Sequence, residues 1–368
     1  MAEPFPLIEV EGPPRERGRQ YGRQAAERIA LGVRHYTQQL ERARFDAAAI
    51  RELVRQYVPQ MDAFEPAYVE EMRGIAEGAR LDFEAVALLN ARTEILKLGR
   101  HPELRRRITG DEACTGVVAL PEATQGRRLI HAQNWDWKVE CAETAVVLRV
   151  RRDDGPDLLT FTEAGGLARS GFNSAGIAIT ANYLECDRDY RRLGVPLALI
   201  RRKVLESQHL ALALRAVYVT PKSAANNMIV SHAEGVAIDF ECAPDETFQV
   251  HPAEGLLVHA NHFVSPVALA KLRDTGIANT PRQPLPRRAR AQPAGAAGRS
   301  PHARGRQGRA AGRLRLAVVG VSPAARGRHR GGDGHRGHGG DGARAGRDGG
   351  GSAAGPRRPL HALPSGGR

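Results

Sequence analysis

The chain is 368 residues long with a formal net charge of +13 at pH 7, long enough for one large domain or two smaller ones with a buried core. Residues 282–368 hold 19 of the 54 Lys and Arg residues and only 3 of the 41 Asp and Glu residues, so residues 1–281 carry a net charge of about −3. That distribution excludes polyanion steering by the body of the chain, and no nucleic-acid partner is expected for it.

In chain order, the first zone reads as helical. Glu16–Leu40 and Ala47–Met61 lack Gly/Pro clusters and are rich in Arg, Gln, Glu, Ala and Leu, all good helix formers. Val69–Ala79 and Phe83–Leu98 continue the pattern, with Phe83, Val86, Leu89 and Ile95 near one face. Gly99 is a stop signal, and Arg100–Gly110 turns polar and basic as an exposed linker does.

At Cys114 the texture changes. Thr115–Leu120, Arg128–Gln133, Ala145–Val150, Leu158–Thr162 and Ile177–Asn182 are short β-type runs between turn residues. Asn173-Ser174-Ala175-Gly176 predicts a hairpin turn. A helical stretch follows over Pro196–Val219, then strands at Asn227–Ser231, Val236–Phe240 and Leu256–His259. This order predicts an α+β layered domain with mainly antiparallel sheets.

Residues 282–368 form a third zone, in which 64 of 87 residues are Arg, Gly, Ala or Pro. It contains no Lys, Glu, Ile, Asn, Thr, Phe, Tyr, Trp, Cys or Met. A disordered basic tail draws on Lys and Glu as well, and an RNA-binding one interleaves aromatic residues for stacking. The composition is that expected of out-of-frame translation of a G/C-rich gene, with a genuine disordered tail as the alternative.

Met1–Phe5 has neither the basic nor the apolar region of a secretory signal, and no run of eighteen apolar residues predicts a membrane helix. Cys114, Cys141, Cys186 and Cys242 lie far apart with no C-x-x-C, which argues against a disulfide framework or structural zinc. A cytoplasmic chain with no membrane partner, no metal and no cofactor is expected.

A cysteine that starts a strand is usually a small buried hydrophobe. Cys114 stands out because it sits where the polar linker meets the first strand, followed by the small Thr115 and Gly116. One strand later comes Gln133-Asn134-Trp135-Asp136-Trp137, a concentration of amide, carboxylate and indole groups. With Cys114-Thr115 and Leu120-Pro121-Glu122-Ala123, this run resembles the acyl-coenzyme A:6-aminopenicillanic acid acyltransferase family of autoproteolytic N-terminal-nucleophile cysteine hydrolases. Thr162-Glu163-Ala164-Gly165, Gly171-Phe172-Asn173-Ser174-Ala175-Gly176 and His259-Ala260-Asn261-His262-Phe263 add to the likeness, as do Arg17-Gly18-Arg19-Gln20-Tyr21-Gly22 and Ile75-Ala76-Glu77-Gly78. The resemblance runs over about residues 8–281.

The resemblance implies a four-layer αββα sandwich, divided into a helical N-terminal segment (1–113), a catalytic core (114–281) and the tail (282–368). It implies cleavage between Ala113 and Cys114, after which the N-terminal segment stays bound as an alpha chain. The new Cys114 α-amine, with a reference pKa of about 7.7–8.0, then serves as base for its own thiol. Asp136 matches the aspartate that orients that amine, Asn261 the oxyanion-stabilising asparagine, and Asn182 a secondary oxyanion contact of bile-salt-hydrolase-like relatives. The family usually has glycine where Ala113 stands, and alanine disfavours a strained positive φ before the scissile bond. The family's C-terminal active-site arginine, in a Cys-Arg motif, has no counterpart here.

The expected substrate is a small acyl amide or an acyl-CoA, with a thioester on Cys114 and acyl transfer to water or an amine. A choloylglycine-hydrolase-like amidase of the same fold, or an inactive relic with a nucleic-acid-binding tail, are the alternatives. His259 and His262, spaced i, i+3 at a strand end, read as structural, as do His131 and His232. Trp135 and Trp137 alternate with Asp136 and read as packing residues, with a place in the acyl pocket as the alternative. Gly165-Gly166 lacks the context of a nucleotide loop.

Overall fold

The computed structural model describes residues 4–97, 113–277 and 313–319. The chain separates into Met1–Ala325 and Arg326–Arg368, and every described residue belongs to the first unit. The linker and the tail expectations lie outside the described residues, apart from one strand at 313–319.

Five helices fill the first zone: α1 (Pro14–Gln24), α2 (Ala26–Arg42), α3 (Ala47–Phe64), α4 (Pro66–Ala79) and α5 (Phe83–Lys97). The expected Glu16–Leu40 helix is two, broken at Ala25. α1 and α4 cross in backbone contact because each carries two glycines one turn apart. A Cβ on Gly22 would lie 2.3 Å from the Ile75 carbonyl oxygen, and one on Gly74 2.0 Å from that of Arg15. The two helical motifs noted in the sequence are therefore two halves of one crossing. It is locked by Arg17, whose Nε donates to Glu71 at 2.6 Å in a buried pair.

The strands are β1 (Leu7–Val10), β2 (Ala113–Ala119), β3 (Ile130–Lys138), β4 (Ala145–Val150), β5 (Leu158–Glu163), β6 (Ser170–Asn173), β7 (Ile177–Tyr183), β8 (Asn226–His232), β9 (Val236–Cys242), β10 (Thr247–Val250), β11 (Leu256–His259) and β12 (Arg313–Val319). They form an eight-stranded sheet ordered β1-β4-β5-β6-β7-β8-β9-β10 and a four-stranded sheet ordered β11-β2-β3-β12. All pairs are antiparallel except β1 with β4. The β6–β7 turn is the one expected: Gly176 takes φ +89° and Asn173 Oδ1 accepts from the amides of Ala175 and Ile177.

The expected helix over 196–219 is also two, α6 (Leu197–Leu205) and α7 (Leu210–Val219). Asn173 Nδ2 donates to the Leu205 and Ser207 carbonyls, and Glu206 is held by Arg202, which stops α6 there. The last helix described is α8 (Pro266–Lys271), capped by Ser265.

One hydrophobic core joins α1–α7 to the larger sheet, with Tyr21, Ile29, Met72, Ile75, Val146, Ile179 and Met228 fully buried within it. On its other side the smaller sheet is joined by polar groups as well as by packing. His131 bridges Thr180 and Ser231, 2.8 Å from each, and Gln133 donates to the Ala181 carbonyl and to Asn182. Gly116 makes this approach possible, since a Cβ there would lie 2.7 Å from Ile229 Cδ1. The α+β class holds, and the described residues make up the helical layer and both sheets of the expected sandwich. Among the described residues no helix is long and apolar enough to cross a membrane.

Candidate active site

Cys114 is the second residue of β2 and pairs with Trp135 of β3. Strand alternation turns its side chain between the sheets, where only 3% of the residue is exposed. Its neighbours there are Trp135, Trp137 and Phe161, with the two indole rings stacked 6.4 Å apart. The tryptophans thus pack, and Trp137 also lines the cavity that reaches Cys114.

The Cys114 amide donates to Asn261 Oδ1 at 2.6 Å, and Asn261 Nδ2 donates to the Tyr183 carbonyl at 2.9 Å. These two bonds fix which end of the Asn261 amide faces the cysteine. Asn261 lies just beyond β11, on a turn that three groups hold. Asn182 Nδ2 donates to the carbonyls of His259 and Ala260 at 2.8 and 3.2 Å. His259 Nε2 meets Glu241 at 2.7 Å and Asp239 at 3.6 Å, all three fully buried. Glu241 also accepts from the Val264 and Ser265 amides on the far side of the turn.

Burial lowers the pKa of His259, but Asp239 and Glu241 outweigh it and lift the imidazole to about 9. His131, buried without a charged partner, is instead pushed down to about 3. Both are structural histidines. Among the described residues no group of three His, Cys, Asp or Glu side chains is placed to hold a metal ion.

Three of the sequence-derived residues, Cys114, Asn182 and Asn261, therefore converge. Asn182 reaches the turn that carries Asn261 through the Nδ2 bonds to the His259 and Ala260 carbonyls. Asp136 pairs with Ala113, the first residue of β2. Alternation places its side chain on the sheet face opposite that of Cys114. It borders the Ala113–Cys114 peptide.

The residues missed are cations. Arg92, Arg169 and Arg201 line a small cavity together with Cys114, Trp137 and Tyr183. Arg92 is paired with Glu163, which also accepts from Tyr36 at 2.5 Å. Arg169 lies over the Trp135 ring, 3.9 Å from its centroid. The advance sign was the basic run Arg201-Arg202-Lys203 within a helix whose other residues are apolar.

Residues 123–283 match the family described as acyl-coenzyme A:6-aminopenicillanic acid acyl-transferase. A curated relative from Emericella nidulans, the acyl-coenzyme A:6-aminopenicillanic-acid-acyltransferase 40 kDa form, is 29% identical over 259 residues, covering 69% of this chain and 68% of its own. An uncharacterized protein of Archaeoglobus fulgidus is 25% identical over 190 residues, 47% of this chain and 32% of its own length. Among solved structures, an N-acylethanolamine-hydrolyzing acid amidase ortholog from Caenorhabditis elegans is 19% identical with a TM-score of 0.34, over 41% of this chain and 71% of that one. Penicillin V acylase from Agrobacterium tumefaciens is also 19% identical, with a TM-score of 0.28 over 39% and 51%.

Proposed function

We propose, for a chain whose residues 123–283 carry the acyl-coenzyme A:6-aminopenicillanic acid acyltransferase family, that it is a self-processing cysteine amidohydrolase using Cys114 as nucleophile. The observation that carries this reading is the 2.6 Å bond from the Cys114 amide to Asn261 Oδ1 in a buried pocket. Once the Ala113–Cys114 bond is cut, that nitrogen becomes an α-amine. Asn261 Oδ1 accepts one of its hydrogens and so aims its lone pair.

The first reaction is internal: the thiol attacks the Ala113 carbonyl, the acyl group moves from nitrogen to sulfur, and water hydrolyses the thioester. In turnover the α-amine takes the thiol proton as sulfur attacks the substrate amide carbon. The C–N bond then breaks as that proton passes to the departing nitrogen, leaving the acyl group on sulfur. Water or an amine attacks the thioester and the thiol returns. Near neutral pH the amine, with a reference pKa of about 7.7–8.0, exists in part as free base.

Asn261 Nδ2 carries two hydrogens, one donated to Tyr183 and the other directed at the oxyanion. Asp136 borders the peptide to be cut, and Asn182 positions the turn that bears Asn261. The N-terminal segment shares the main core with the larger sheet, which supports its staying bound as an alpha chain. Hydrolysis of a small N-acyl amide is the reaction this site suits, since the cavity at Cys114 is compact. Residues 282–368, of which Arg313–Val319 pair with β3, we read as out-of-frame translation; coding DNA with no α/β continuation in another frame from about codon 281 sinks that reading.

The test is a denaturing gel with intact mass of the larger fragment. Two fragments split before Cys114 are expected from the wild type and one chain from Cys114→Ala. A wild-type chain that stays whole under native expression refutes the function.

A further inference from the structure

A fully buried charged cluster joins the two sheets beside Asn261. Asp239 and Glu241 lie on one face of β9 in the larger sheet, and His259 ends β11 in the smaller one. The protons of His259 follow from its partners. Its Nδ1 is 2.8 Å from the Ala260 carbonyl oxygen, which can only accept, so Nδ1 carries a hydrogen. Its Nε2 is 2.7 Å from Glu241 Oε1. That carboxylate also accepts the Val264 amide at 2.6 Å and the Ser265 amide at 3.1 Å, a donor set that suits its ionised form. Both ring nitrogens therefore donate, and His259 is an imidazolium.

A second carboxylate faces the same nitrogen. Asp239 accepts Asn227 Nδ2 on Oδ1 and brings Oδ2 to 3.6 Å from His259 Nε2. The other ionisable groups on this side are His262, whose ring stacks 6.4 Å from that of His259, and Asp274 near it. Burial and then repulsion from His259 push the His262 pKa down. Gly116, Asn182 and Asn227, contributed by β2, β7 and β8, carry no charge.

One ion pair thus grips both ends of a turn. His259 holds the Ala260 carbonyl, Glu241 holds the Val264 and Ser265 amides, and Asn261 lies between them with Oδ1 on the Cys114 amide. Without its Nε2 proton, His259 meets Glu241 lone pair to lone pair in a site with no solvent to intervene, and the grip fails.

We propose that His259 is a positioning residue for the Cys114 reaction: as an imidazolium held by Glu241 and Asp239 it keeps Asn261 in register with the thiol, and loss of its proton sets the alkaline limit of turnover. This rests on the amidohydrolase reading and adds a second titration to it. The Cys114 α-amine has to be free base while His259 has to be charged, so the rate against pH is a bell whose falling limb belongs to a residue that touches no reacting atom. Burial pulls the imidazole down, but Asp239 and Glu241 overcome it and lift it to about 9, above the amine's reference range of about 7.7–8.0.

Asp239→Asn is the variant to test, because it keeps an oxygen for Asn227, leaves the turn's own bonds in place and removes one of the two negative charges facing Nε2. NMR of isotopically labelled histidine and asparagine in the full chain carrying Cys114→Ala reads the His259 titration without requiring processing or turnover, with His259→Gln identifying the signal. Release of para-nitroaniline from its N-acetyl amide by the processed enzyme, from about pH 6 to 10, reads the two limbs. In the wild type the falling limb is expected to coincide with the His259 titration. With Asp239→Asn both are expected to move together to lower pH, by about tenfold or more in proton affinity, while the rising limb stays. At the optimum kcat is expected to fall with KM unchanged.

A His259 that is neutral where turnover is highest overturns the proposal, as does a falling limb that stays in place while the histidine signal moves. A rate lowered equally at every pH also overturns it, since that is what a merely structural role gives. If Asp239→Asn does not fold, the wild-type comparison decides: a limb that falls where His259 does not titrate refutes the assignment. A wild-type chain left whole refutes the enzyme reading, and the Asn261 side-chain amide signals in Cys114→Ala then decide the clamp, which falls if they do not shift as His259 titrates.

Discussion

Asn261 offers the sharpest perturbation, because its two ends do different things. Its oxygen accepts from the Cys114 nitrogen at 2.6 Å, and its Nδ2 spends one hydrogen on Tyr183 at 2.9 Å. The second hydrogen is the one assigned to the oxyanion. Asn261→Asp separates these parts. In its protonated form the new side chain still accepts from Cys114 and has one O–H for Tyr183, but nothing remains for the oxyanion. Processing is therefore expected to survive while kcat falls about 10²–10³-fold, or about 2.7–4 kcal/mol of transition-state stabilisation. Asn261→Ala removes both ends, leaving a buried amide and a buried carbonyl unsatisfied at about 1–3 kcal/mol each, and is expected to slow processing too. The assay pairs the processed fraction on a denaturing gel with amine release from an N-acyl amide. Wild-type turnover by Asn261→Asp refutes the oxyanion role, and wild-type processing by Asn261→Ala refutes the part given to its oxygen.

Three further outcomes test the frame around the site. Glu71→Ala strips Arg17 and the fully buried Arg202 of their shared carboxylate, although Arg202 keeps Glu206. A loss of about 3–5 kcal/mol and a Tm lower by about 6–20 °C are expected by calorimetry. Gly22→Ala drives a methyl to 2.3 Å from the Ile75 carbonyl oxygen and is expected to cost about 1–3 kcal/mol or more in urea unfolding. Gly126→Ala, with nothing within 4 Å, should stay within about 0.5 kcal/mol of wild type. For pH, the folded pKa of His259 is raised to about 9 from an ordinary value of 6.5, so its contribution is complete below about pH 6.5 and lost as pH rises through 9. Asp239, raised to about 6 chiefly by burial, acts in the same direction at lower pH. Tm is thus expected to fall between pH 6.5 and 9, and a His259→Gln variant that shows the same slope overturns that assignment.

What could be read in advance divides along a physical line. Ala145–Val150 and Leu256–His259 are short apolar runs bounded by polar and turn residues, so their bounds were legible to the residue. β3 was cut short at Gln133 because Asn134 and Asp136 look like turn formers. In the fold the same alternation continues, sending Trp135 and Trp137 inward and Asn134 and Asp136 outward. β1, β6 and β10 have four residues each, too few for a period to register. The break after α6 depends on Asn173, 32 residues away, capping Leu205. Cys114 and Asn261 stand out in the sequence because their motifs are local, whereas the Asn182 Nδ2 partners lie 77 and 78 residues distant.

The arginines show why the remaining part of the site could not be found that way. Arg201 and Arg202 are neighbours in the basic run Arg201-Arg202-Lys203 of α6, and nothing in that local run separates them. Their difference comes from Glu71, 131 positions earlier, which the glycine crossing of α1 and α4 delivers to Arg202 but not to Arg201. A helix sends consecutive side chains about 100° apart. One arginine therefore turns toward α4 and Glu71, and the next turns toward the cavity at Cys114, where Glu94 attracts it. The fold uses the first to hold α6 in place, and that placement is what keeps the second charge at the wall of the thiol pocket.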